Sequence, residues 1–156
     1  MVDALAVVPA IARTADRGGS VTEPPDTSPD APEAPPLGAF SISLAVADLP
    51  ASRAFYEALG FVALGGEPEE GWLILRNGDA VIGLFHGHVE RNTITFNPRM
   101  DTRMGSHPEW PDVREIQARL EAAGLDLDAR TDPAGSGPGH ILLTDPDGNP
   151  VLIDQF

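Results

Sequence analysis

The sequence of 156 residues contains no cysteine and no lysine. Without thiols there is no disulfide, no thiolate nucleophile and no sulfur-bound zinc, and the chain is compatible with the cytoplasm, the location expected here. Without lysine no side-chain amine is available for a Schiff base, and all ten basic residues are arginine. No apolar run approaches the ~18 residues of a membrane span. The amino-terminal stretch MVDALAVVPAIAR places Asp3 ahead of its apolar residues, where a secretory signal would carry a basic one. Positive charge is scarce throughout, and the formal net charge is −14. That balance disfavours nucleic acid and anionic membrane surfaces as partners, and it attracts cations.

What is present divides at about residue 40. Residues 1–39 hold seven of the sixteen prolines and show no sustained periodicity after Arg17. Such a segment buries too little apolar surface to offset its ordering entropy, so a disordered, acidic leader is expected, with a helical turn or two around Ala4–Ala15. It carries six acids and two arginines, which leaves a charge of −10 on residues 40–156. The acidity therefore belongs to the folded part. The whole chain is 42% hydrophobic, and the part from residue 40 is long enough for one domain.

From Phe40 onward Ile42, Leu44 and Val46 alternate with Ser41, Ser43 and Ala45, the pattern of a strand with two unlike faces. Asp48 is placed to cap a helix carrying Pro50 in its first turn and Leu49, Ser52, Phe55, Tyr56 and Leu59 at helical spacing, and Gly60 ends it. Three strands are expected next, at Phe61–Leu64, Trp72–Leu75 and Ala80–Phe85, with Asn77-Gly78 as a hairpin signal. The order then repeats. Thr93–Asn97 alternates, Asp112 and Glu115 are spaced as a capping box, and Val113, Ile116, Leu120 and Ala123 form a stripe ended by Gly124. Strands are expected at Leu125–Ala129, His140–Thr144 and Pro150–Ile153. This is a βαβββ unit used twice, module 1 over about 40–90 and module 2 over about 91–156.

Val46-Ala47-Asp48-Leu49 with Phe55-Tyr56 and Leu59-Gly60-Phe61, followed at a distance by Asp145-Pro146-Asp147-Gly148-Asn149, resembles the vicinal oxygen chelate superfamily of glyoxalase I, extradiol dioxygenases and bleomycin-resistance proteins. The resemblance implies an α+β fold in which two βαβββ modules form a curved mixed sheet with a concave cleft. It also implies pairing into a homodimer. Metal-dependent members of the family hold a divalent ion on four strands, at positions that correspond to Ser41, Gly83, Thr93 and Leu152 here. Serine and threonine hydroxyls are poor neutral ligands, and glycine and leucine have no side-chain donor, so no metal and no cofactor are expected. Asp145, Asp147 and Asn149 start like a calcium loop but lack its terminal glutamate, and they are expected to form a turn.

Strand parity assigns to the concave face Ser41, Ser43, Gly83, Phe85, Thr93, Thr95, Asn97, Leu152 and Asp154, with Trp72 or Ile74 according to register. These are the expected ligand-binding residues. Gly83 is expected to leave room beside Phe85 for a planar ring. Asp154, next to Leu152, is the candidate base or partner of a ligand cation. Parity puts His86 and His88 on the opposite face, while His107 falls in a loop and His140 opens a strand near the cleft mouth. The expected function is sequestration of a small organic ligand, cationic or aromatic. The alternative is a glyoxalase I-like lyase or dioxygenase-type enzyme with a non-standard or metal-free site.

Overall fold

A computed structural model describes residues 35–156 of the chain. The leader, apart from its last five residues, lies outside the described residues. Strand β1 (Ala39–Ala45) runs into helix α1 (Leu49–Ala58), followed by β2 (Val62–Glu67), β3 (Trp72–Asn77), β4 (Ala80–Phe85) and β5 (Thr93–Asn97). Helix α2 (Val113–Ala122), β6 (Gly139–Thr144) and β7 (Pro150–Gln155) complete the order. Packing begins ahead of the expected boundary at residue 40, because Leu37 lies against the core and Ala39 N donates to Met100 O at 2.7 Å.

The strands form one open, mixed, seven-stranded sheet in the order β2-β3-β4-β1-β5-β7-β6. β1 pairs with β4 in parallel, β5 with β7 in parallel, and β1 meets β5 antiparallel at the join between the halves. Both helices cover one face. Leu49 of α1 packs with Leu73, Leu75 and Leu84 of the sheet; Val113 and Ile116 of α2 pack with Leu127, Ile141 and Ile153. Each such fully buried aliphatic side chain contributes roughly 1.5–3 kcal/mol. The opposite face carries no helix among the described residues, and the site is there.

The helix termini follow their sequence signals. Asp48 accepts from Ala51 N at 2.9 Å, and the Asp112–Glu115 box is closed in both directions. Gly60 at φ 93° and Gly124 at φ 79° end the two helices with the same pair of backbone bonds, Gly60 N to Glu57 O and Phe61 N to Tyr56 O in α1, and Gly124 N to Glu121 O and Leu125 N to Leu120 O in α2. This closure needs a left-handed residue, which glycine supplies without strain. The stripes differ from expectation in detail. Phe55 and Leu59 are exposed, Ala123 is exposed, and Gln117 is buried in its place with its amide bonded to Thr131 N and O.

One expected strand does not form. Leu125–Ala129 contributes a single bridge, Ala129 to Leu142. Its backbone pairs only around Leu142, whose oxygen accepts from both Asp128 N and Ala129 N; Leu127 O instead accepts from Arg130 Nη1 at 2.7 Å, and only Leu127 turns its side chain into the core. The second half is thus one strand short of the first. Asp145 folds its own turn, accepting from Asp147 N and Asn149 N.

Candidate functional site

The helix-free face collects Ser41, Ser43, Trp72, Ile74, Gly83, Phe85, Thr93, Thr95, Asn97, Leu152 and Asp154. The register fixes this, with Ser43 opposite both Gly83 and Thr93, Gly83 opposite Ile74, Phe85 opposite Trp72, and Thr95 opposite both Ser41 and Leu152. Trp72 and Ile74 share the face, being two residues apart on one strand. A cavity of about 550 Å³ occupies the β1–β3–β4 side of it. Ser41, Ser43, Trp72, Gly83, Phe85, Asn97 and Asp154 line this cavity. Thr93, Thr95 and Leu152 do not. Thr95 sits beneath the lining with its hydroxyl 3.0 Å from Ser43 Oγ, and Thr93 Oγ1 donates to Arg91 O at 3.0 Å.

Several wall residues escaped the strand pattern. Phe40 enters from the second position of β1 and Phe156 follows β7, both exposed. Leu64, Gly65 and Gly66 come from edge strand β2, where the register shifts between Ala63 and Gly65. Met100, Asp101, Thr102 and Met104 come from the loop after β5. Such loop residues have no periodicity to announce them. His88 also lines the cavity, contrary to the parity argument. The strand stops at Phe85 and Gly87 adopts φ 76°, so alternation no longer applies; His88 Nε2 donates to Glu70 O at 2.7 Å.

Gly83 does not leave an empty slot. The ring of Phe85 folds back over it, and a methyl group at position 83 would collide with that ring and lie 3.3 Å from Ile74 Cδ1. The glycine admits an aromatic side chain of its own strand.

Asp154 projects from β7 into this apolar wall. Its backbone oxygen accepts from Asn97 Nδ2 at 2.9 Å, but among the described residues its carboxylate has neither a hydrogen-bond nor an ion-pair partner. Desolvation raises its pKa above the ordinary aspartate value, and His140, its cross-strand neighbour, opposes the rise. Among the described residues no arginine lines the cavity.

The loop wall is organised around Asp101. Its Oδ1 accepts from Arg103 N and Gly105 N, both at 2.8 Å, and its Oδ2 lies 2.9 Å from His107 Nε2. The other ring nitrogen of His107 is 3.0 Å from Glu109 Oε1, and the ring stacks on Trp110 at 4.1 Å and 10°. The His107 bond and the two backbone donors hold the Asp101 carboxyl down at about 2, and Asp101 and Glu109 together raise the pKa of His107.

The sequence pattern of the Glyoxalase/Bleomycin resistance protein/Dioxygenase superfamily matches residues 38–153. The chain belongs to this superfamily. No curated protein matches it. Among solved structures, this superfamily member is similar to a protein described as an NAD-dependent benzaldehyde dehydrogenase from Legionella pneumophila, at 14% identity over 75% of this chain and 98% of that one, with a TM-score of 0.55. It is also similar to a superfamily member from Vibrio splendidus 12B01 (17% identity, 75% and 97% coverage, TM-score 0.50). A hypothetical protein from Bacillus halodurans C-125 gives 16% identity, 74% and 91% coverage and a TM-score of 0.51. At these identities the likeness is one of fold.

The superfamily includes metal-dependent members, and the four corresponding positions test whether a metal fits. Gly83 lies under Phe85, Leu152 has no donor, and the Thr93 hydroxyl is committed to Arg91. Ser41 alone does not make a coordination sphere. Among the described residues no three His, Asp or Glu side chains gather into a candidate metal site. The donor set at these positions does not fit a divalent ion. No helix among the described residues is long and apolar enough to cross a membrane.

Proposed function

We propose that the chain binds a small, largely apolar organic molecule carrying a cationic group and sequesters it in the cleft without a metal. The observation that carries this reading is Asp154, a half-buried carboxylate without a partner among the described residues, set in an aromatic and aliphatic wall to which these residues contribute no arginine. An ammonium group placed there gains a charge-assisted hydrogen bond and relieves the desolvated carboxylate, while Trp72 and Phe85 offer faces to a ring or to the cation itself. The cavity volume suits a compact organic molecule. The net charge of −14 favours its approach.

The test is a thermal-shift series of aromatic amines, each beside its neutral isostere and its carboxylate counterpart. At a hundredfold excess over Kd an amine that binds raises Tm by about 10 °C. Asp154→Asn abolishes the advantage of amine over isostere and leaves the isostere's own shift in place. Because the Asp154 pKa is raised, amine affinity falls as pH is lowered toward that value, and this dependence disappears in the variant. A series in which no amine exceeds its isostere refutes the cationic assignment. Stoichiometric nickel, zinc, iron or manganese in protein purified without chelators refutes the metal-free one.

The raised pKa of Asp154 also favours a second reading, a metal-free enzyme in which this carboxylate removes a proton from the bound molecule. Turnover of a bound ligand that is abolished by Asp154→Asn, with neutral-ligand binding retained, selects it. We further read the chain as cytoplasmic and as a homodimer, the pairing supported by the exposed apolar side chains Phe55, Leu59 and Val62.

A further inference from the structure

We propose that the segment from Arg99 to Asp112 is a proton-operated latch on the cavity wall: the doubly protonated ring of His107, clasped between Asp101 and Glu109, fastens the segment, and loss of one ring proton releases it. The inference rests on the cavity being a binding site and assigns that site its regulation.

The geometry is specific to the imidazolium. Both ring nitrogens face carboxylate oxygens, Nε2 at 2.9 Å from Asp101 and Nδ1 at 3.0 Å from Glu109. Carboxylates at neutral pH only accept, and a neutral imidazole has one N–H, so in either tautomer one oxygen would face a lone pair. The stack on Trp110 favours the same cationic form. Asp101 and Glu109 are the charged groups that face the ring. Arg99 is bonded to Trp110 O and paired with Asp112, and Arg103 presents only its backbone N–H to Asp101.

What the clasp holds is part of the wall. Asp101 lines the cavity together with Met100, Thr102 and Met104. Its carboxylate is the hub of the loop, joining His107 to two backbone amides. Two non-glycine residues in the segment are left-handed, Arg99 at φ 60° and Met104 at φ 67°. Such conformations persist only where the surroundings impose them, so the fastened loop holds strain that opening relieves.

The sign follows from the directions of the shifts. The His107 contribution is complete below the ordinary histidine value near ~6.5 and is lost as pH rises through the raised one. Those of Asp101 and Glu109 are complete above ordinary carboxylate values and are lost only as pH falls through their depressed ones. The latch is closed in mild acid and opens on the alkaline side.

Amide exchange of the full chain, corrected for the intrinsic pH dependence of exchange, reads the latch without any ligand. The peptide spanning residues 99–110 should lose about tenfold in protection between pH 6 and pH 8.5, with α2 and β4 unchanged. The midpoint should coincide with the His107 ring titration followed by NMR. His107→Gln should leave the segment unprotected at both values, and Glu109→Gln should move the midpoint to lower pH, a shift that a merely structural loop would not show. Equal corrected protection on both sides of the titration overturns the latch. Nile red, a neutral apolar dye, then reports gating, since its entry and exit rates should rise with the same midpoint. Loop opening with unchanged dye rates overturns the gating. Failure of the dye to bind at any pH counts against the binding reading instead, while exchange still decides the latch.

Discussion

At position 83 the side chain has been reduced to hydrogen so that Phe85, two residues along the same strand, lays its ring over the backbone. The ring thereby becomes floor of the cavity. Gly83→Ala forces it upward into the cavity, with an overpacking cost of about 1–3 kcal/mol and a loss in affinity for any bound probe of about tenfold. Urea unfolding and probe titration measure the two effects; unchanged affinity would show that Phe85 is not part of the binding surface. The glycine was legible in the sequence as a position on this face, because parity along a strand is rigid. Its use was not, since parity says nothing of where a neighbouring ring folds. His88 shows the same limit, because parity ends with the strand at Phe85.

Among the elements, the junction of α2 and β7 ties a helix start to the strand that bears Asp154. Asp112 caps α2 by accepting from Arg114 N, accepts also from Arg114 Nη1 and from Gln155 Nε2 at 2.8 Å, and Gln155 Oε1 in turn accepts from Val113 N at 3.0 Å. These bonds depress the Asp112 pKa against its burial. Asp112→Ala removes the cap and leaves Gln155 short of a partner, so a destabilisation of about 2 kcal/mol is expected in denaturant unfolding. A loss no greater than that of an exposed cap would mean that the Gln155 bonds are replaced by water. The cap itself was readable from Asp112 and Glu115, as were the terminating glycines. The failed strand at Leu125–Ala129 was not, because its alternation is real while Arg130 takes Leu127 O, a group a ladder would use.

Over the whole molecule the two halves share an element order, apart from the strand missing in the second, but not a use. The cavity is built mainly from strands of the first half, and it is completed by the loop after β5 and by the end of β7 from the second. The apolar side chains Phe55, Leu59 and Val62 lie exposed along α1 and the start of β2. If they form the dimer contact, sedimentation gives a dimer mass for the chain and a monomer mass for Phe55→Glu combined with Leu59→Arg. A variant that stays dimeric places the contact elsewhere. The scaffold was legible because caps, turns and alternation are local, and the cleft wall was half legible because its loop side depends on contacts far apart in sequence.

The position of β1 at the middle of the sheet has a consequence for how the chain acquires its structure. On a ribosome this strand emerges before either of its neighbours, with no hydrogen-bonding partner until β4 and then β5 have been synthesised. It must wait through that interval with both edges open. The serines that alternate along it, Ser41 and Ser43, keep one side polar during the wait, and the same hydroxyls later form part of the cleft.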